Sequence, residues 1–247
     1  MRNGERKTEN GKLSAFSFQF LAFSLFLLLA LPSFAQSKRN RDFGAIVGMD
    51  CSVGLWRNVE LEVEEELRFE NYGGAHLERW LNEVSIEAPL SFIPWMGNRL
   101  HAGLPLGYVR HHTDQGYFDN RLRYGVDLSY YETLRRFKFS YRTRVLCTYR
   151  DERMGDYKVN PKWYWRNKLQ AAYQLPGSRF KYTFSTELFM RMRAEESFID
   201  HLRATLSVTY RVTRRQSISG LVRMDNELQV KEPFDRFYLG LAYHLKY

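Results

Sequence analysis

Apolar side chains return at every second position through most of this chain, and that period decides what the chain can fold into. In residues 137–150, Phe137, Phe139, Tyr141, Thr143, Val145, Cys147 and Tyr149 alternate with a mostly polar row that includes Lys138, Arg142, Arg144 and Arg150. Residues 180–193 and 201–212 repeat the pattern. So does NVELEVEEELRFE, residues 58–70, whose glutamates at first suggest a helix. A period of two scatters apolar residues around a helix but gathers them on one face of a strand. Similar runs near 43–53, 79–90, 99–110, 121–131, 163–175, 217–225 and 236–247 bring the number of segments to eleven. No helical pattern intervenes after the N-terminal region, so the fold class is all-β. One residue breaks the second run: Glu65 stands on its oily side.

Strand length and connection length separate a membrane barrel from a soluble sandwich. The runs cover about 11–15 residues, against about 5–6 for an ordinary strand, and about 9–11 tilted residues cross a bilayer. Connections alternate between short turns (54–57, 134–136, 176–178, 213–216) and longer polar loops (71–77, 111–120, 151–162, 195–200, 226–235). The apolar SFIPWMGN, 91–98, is the exception on the short side. Short turns at one end and long loops at the other suit an outer-membrane barrel with its turns in the periplasm. Bacterial barrels have even strand numbers, so the expectation is an antiparallel transmembrane β-barrel of about 10–12 strands, twelve preferred, with SKRNRDFG a candidate for the missing one.

The N-terminus fits export. A basic start precedes the apolar stretch 15–31, and Pro32-Ser33-Phe34-Ala35 places small residues where a signal peptidase cleaves. The expected organisation is a signal peptide at 1–35 and a single barrel domain at 36–247; an uncleaved anchor is the rival reading. Removing residues 1–35 lowers the formal charge from +9 to +7. Export makes nucleic acid a poor partner for that basic balance. The location implied is the bacterial outer membrane, with its lipids as partners. Cys51 and Cys147 fall on distant strands and are expected as free thiols.

The last run, RFYLGLAYHLKY, puts Phe237, Leu239, Leu241, Tyr243, Leu245 and Tyr247 on one face and ends on the aromatic. It looks like the signal that outer-membrane proteins present to the barrel assembly machinery. With it come FKFSYRTRV (137–145), WRNKLQAAY (165–173), STELFMR (185–191), FIDHLRATLSVTYRV (198–212), EEELRF (64–69) and DNRLRYGVDLSY (119–130). This ordered set resembles the uncharacterised outer-membrane barrels of Bacteroidota-like bacteria grouped as domain of unknown function 2490. The resemblance implies a barrel and its location; it brings no activity, cofactor or catalytic residue.

A Lys or Arg facing lipid at mid-bilayer costs about 2–4 kcal/mol, so the charged rows are expected to face the lumen. Parity then points Glu60, Glu62, Glu64, Glu66, Glu83 and Glu87 inward from one wall. The facing rows carry Arg121, Arg123, Arg142, Arg144, Arg166, Lys168, Arg191, Arg193, Arg203 and Arg211, along with Lys138 and Lys181. Two readings follow: a structural barrel whose lumen charges pair into a plug, or a narrow channel favouring small anions. A lipid-modifying enzyme using His111, His112, Asp114 or His76 is the alternative from another class. It lacks HExxH, GxSxG or a second cluster, and adjacent histidines on an extended strand point apart. Adhesion through Tyr72, Tyr117, Phe118 and Tyr157 is a further alternative. No metal or cofactor is expected.

Overall fold

A computed structural model describes residues 40–56, 58–71, 74–91, 97–113, 116–152, 160–193, 197–229 and 233–247. The signal-peptide expectation for 1–35, Tyr72, Asp114 and Tyr157, and the centre of the 91–98 turn lie outside the described residues. Eleven strands follow in order: β1 (Asn40–Gly54), β2 (Glu60–Glu70), β3 (His76–Pro89), β4 (Leu100–His112), β5 (Phe118–Leu134), β6 (Phe137–Arg150), β7 (Lys162–Gln174), β8 (Phe180–Met192), β9 (Phe198–Arg211), β10 (Gln216–Glu227) and β11 (Phe234–Lys246). A short 3-10 turn at Gly97–Arg99 leads into β4. Each strand pairs antiparallel with the next, and β1 pairs with β11 to close the barrel.

The closure corrects the preference for twelve antiparallel strands. Hairpins reverse direction at every step, so the first and eleventh strands run the same way, and β1 and β11 are parallel from Asn40↔Phe234 to Ser52↔Lys246. SKRNRDFG adds no strand of its own, because its described part, from Asn40 on, opens β1. Tyr247 continues the seam: its N–H donates to Ser52 O at 2.9 Å, and Gly54 N–H donates to Tyr247 O at 3.2 Å. β1 therefore begins at the long-loop end of the barrel and finishes at the short-turn end.

Close packing holds this seam. The Tyr238 ring is 1% exposed and lies against Gly44, where an added Cβ would come within 2.2 Å of Phe69 O and 2.7 Å of the ring. Gly240 makes similar room for Ile46, itself almost fully buried. Tyr238 completes its polar bonding by donating its O–H to Glu70 at 2.7 Å.

The wall is inside-out relative to a water-soluble domain. Leu239, Leu241 and Leu104 are 70%, 63% and 63% exposed on the outer face, while Glu66, Arg68, Glu83, Arg144, Glu187 and Asp225 are buried within. Aromatic rings mark both ends of the outer face. At the loop end Phe43 stacks on Phe237 with centroids 5.6 Å apart; at the turn end Phe137 meets Tyr173 and Phe180 meets Tyr210. Aliphatics such as Val47, Leu106, Val126, Leu206 and Val222 fill the band between.

Glu65 keeps its outward place. β2 runs in unbroken register with β1 past it, and it sits opposite Met49 and Asn82. The outward Trp80 relieves it, donating Nε1–H to Glu65 Oε1 at 3.0 Å. Register shifts occur elsewhere, between Arg68 and Phe69 against β3 and between Phe189 and Met190 against β9. Each leaves one extra residue on the partner strand, Glu78 and Asp200 respectively. Such a bulge breaks the strict in–out alternation, and Glu78 and Arg79, like Asp200 and His201, consecutive in sequence, both line the interior. Cys51 and Cys147 are both free.

Candidate functional site

The inward side chains enclose a cavity of about 790 Å³. Its lining holds fifteen lysines and arginines against ten aspartates and glutamates that face inward, an excess of positive charge. Of the side chains that parity points inward, Glu62, Glu64, Glu66, Glu83, Arg121, Arg123, Arg142, Arg144, Arg166, Lys168, Arg191 and Arg203 line it. Glu60, Glu87, Arg193 and Arg211 do not. Glu60 meets Lys246 at 3.2 Å near the turn end, and Glu87 meets His101 at 2.9 Å and accepts from Tyr131 at 3.0 Å. Arg193 lies just past the end of β8, over the Phe198 ring, and Arg211 is exposed at the turn end of β9.

Three bridges cross the lumen between strands that have two others between them. Arg223 of β10 donates to Glu66 of β2 at 2.8 Å, and Arg68 of β2 reaches Asp225 of β10 at 3.4 Å. Arg144 of β6 donates to Glu83 of β3 at 2.6 Å while its Nε and second Nη hold Asp127 at 2.6 and 2.7 Å. Small residues make these reaches short. Between β2 and β10, the β1–β11 wall presents Gly44, Gly48, Gly240 and Ala242 inward; between β3 and β6, β4 presents Gly103, Pro105 and Gly107. The acidic wall of β2 and β3 is thus flanked on each side by a strip that includes several small residues, beside Ile46, Tyr238 and Val109, and arginines extend across it.

The remaining pairs are local. Glu187 is shared by Arg166 at 2.9 Å, Arg142 at 3.7 Å and Arg203 at 3.9 Å, and Asp225 takes a two-pronged contact from Arg203, its cross-strand partner. Fully buried Asp119 holds Arg121 at 3.0 Å. Glu66 gathers Arg68, Arg79 and Arg223. Glu62 and Glu64, though inside, form no ion pair among the described residues.

Residues 52–238 match the family described as protein of unknown function (DUF2490). The chain belongs to that family. No curated protein matches this DUF2490 chain. Among solved structures it is similar to the anion-selective porin from Comamonas acidovorans, at 12% identity over 74% of this chain, with a TM-score of 0.32. The chain spans 55% of that porin's length, and at that TM-score the likeness bears on neither the fold nor the function of the DUF2490 chain.

Several charged residues of the site fall outside the acidic and basic rows read from sequence. Glu187, Asp127, Asp225 and Arg223 stand on the inward parity of their strands, so extending the same alternation finds them. Glu78 and Asp200 have no such signal, because each owes its place to a bulge. The paired histidines separate: His111 lines the cavity, 3.6 Å from Glu78, whereas the His112 ring packs with His76 and Phe118. Among the described residues no group of three or more His, Cys, Asp or Glu is arranged to hold a metal ion.

Proposed function

We propose that this DUF2490 chain is an integral outer-membrane β-barrel whose cross-braced lumen forms a narrow path for small anionic solutes. The observation that carries the reading is the inverted wall: a continuous outer band of exposed aliphatics around a charged cavity with positive charge in excess. Water does not tolerate so large an apolar surface, and a bilayer requires it. Strands of 11–17 residues are long enough to cross. The two aromatic belts suit the two membrane interfaces, where a ring is half immersed. Bulk charge on the lining favours anions over cations electrostatically.

The three lumen-crossing bridges favour a second reading, in which the barrel is a sealed structural element. Neither reading assigns chemistry to the lumen, and the role proposed is not enzymatic. The deciding experiment combines heat-modifiable gel mobility with planar-bilayer conductance on the purified barrel. A folded band of altered mobility and discrete anion-preferring conductance steps are expected. A barrel that folds yet stays silent at high protein amounts removes the path and leaves the sealed form. A chain that shows no heat-modifiable band and extracts from membranes like a peripheral protein removes the membrane reading itself.

A further inference from the structure

Among the described residues every arginine of the lining but Arg123 meets an acid, whereas the lining lysines Lys162, Lys168 and Lys181 do not, and Arg123 and Lys162 stand together. Arg123 of β5, Thr148 of β6 and Lys162 of β7 occupy one register row, Arg123↔Thr148 and Thr148↔Lys162, and all three line the cavity. Neighbouring strands lie about 4.8 Å apart, so the two cations rise from the wall roughly 10 Å from each other with a hydroxyl between them. Neither makes an ion pair among the described residues. The Nε–H of Arg123 is buried and meets no acceptor there.

Nothing nearby is available to neutralise Arg123. Its other cross-strand neighbour is Gly107, which has no side chain to offer. Glu83, the nearest acid on that side, is taken by Arg144 at 2.6 Å. Arg121 and Arg166, whose charges act on Arg123, are held by Asp119 and Glu187. A buried guanidinium among like charges, with an unused donor and an open cavity before it, lacks an anion.

We propose that Arg123, Thr148 and Lys162 form a binding site for a phosphate group, free or carried on a small solute, in the loop-side half of the lumen. The guanidinium fork matches two oxygens of a tetrahedral oxyanion, the ammonium adds a point charge, and the hydroxyl donates to a third oxygen. A dianion neutralises both cations at once; chloride does not. The inference deepens the anion-path reading and rests on its solvent-filled lumen.

The test is calorimetric titration of inorganic phosphate, and separately of glucose 6-phosphate, into the purified barrel in non-ionic detergent with chloride in excess. Saturable phosphate binding is expected, weakened at least tenfold in Arg123→Gln and in Lys162→Gln, partly retained in Arg123→Lys, and unchanged in Arg211→Gln, which lies outside the lining. Heat-modifiable mobility verifies that each variant is folded; should Arg123→Gln not fold, Lys162→Gln, at the first residue of β7, decides. Tighter binding of one compound than the other tells which source the site fits, and both support it. A flat phosphate titration of the wild type, or equal affinity in all variants, overturns the site. Conductance of the same preparation separates the two proposals: a silent bilayer with phosphate bound refutes only the path, whereas a conducting barrel indifferent to phosphate refutes only the site.

Discussion

Replacing Glu66 by Gln keeps the shape of the side chain and removes the charge on which three arginines converge. Its carboxylate is 7% exposed and is met by Arg68 at 3.1 Å, by Arg223 at 2.8 Å and by Arg79. At an effective dielectric of about 20, unit charges roughly 4 Å apart attract by ~4 kcal/mol. Three such contacts are offset by desolvation of the carboxylate and by repulsion among the arginines. Arg68 also retains Asp225 and Glu78, at 3.4 and 3.6 Å. The net loss falls within the ~3–5 kcal/mol typical of removing one member of a buried ion pair, and we take about 3 kcal/mol. With a urea slope of about 2–3 kcal/mol per molar, the unfolding midpoint drops by roughly 1 M. The assay is urea titration of the vesicle-embedded barrel, followed by tryptophan fluorescence and by the folded gel band. Glu64→Gln is the control, since Glu64 lines the same wall without an ion pair. Arg223→Gln added to Glu66→Gln should recover part of the loss, because it removes one of the stranded cations. A Glu66→Gln midpoint equal to that of wild type or of Glu64→Gln refutes the cross-bracing of the lumen.

Gly44→Val should abolish the folded, heat-modifiable band, because its Cβ would lie 2.2 Å from Phe69 O at the β1–β11 seam; Gly48→Ala, with 3.5 Å to Glu65 O, should fold normally. Trp80→Phe strips Glu65 of its donor on the outer face and should cost ~1–3 kcal/mol in the same urea assay. Adding Glu65→Leu to Trp80→Phe should return stability to wild type or above, and a double variant as weak as the single one contradicts an apolar surrounding for that face.

Alternation alone fixed much of this molecule. A period of two is a local property of an extended backbone, so the residues themselves determined that the chain is strands and which side chains share a face. The outward row from Phe237 to Tyr247 and the inward row from Glu60 to Glu66 were readable without any partner strand. Turn and loop lengths likewise separated the two ends. Three things needed the tertiary structure. The parallel β1–β11 seam depends on how an odd number of strands closes and on whether Gly44 and Gly240 let Tyr238 and Ile46 pack, neither of which is local. Glu78 and Asp200 enter the lumen through bulges, which interrupt the alternation that sequence reading relies on. The pairing of charges was decided by reach across space: the small residues of β1, β4 and β11 let Arg223 and Arg144 extend to Glu66 and Glu83, while Arg123 and Lys162, like Lys168 and Lys181, are left unmatched among the described residues. Sequence sets which face a charge occupies; only the closed ring sets which opposite charge it meets.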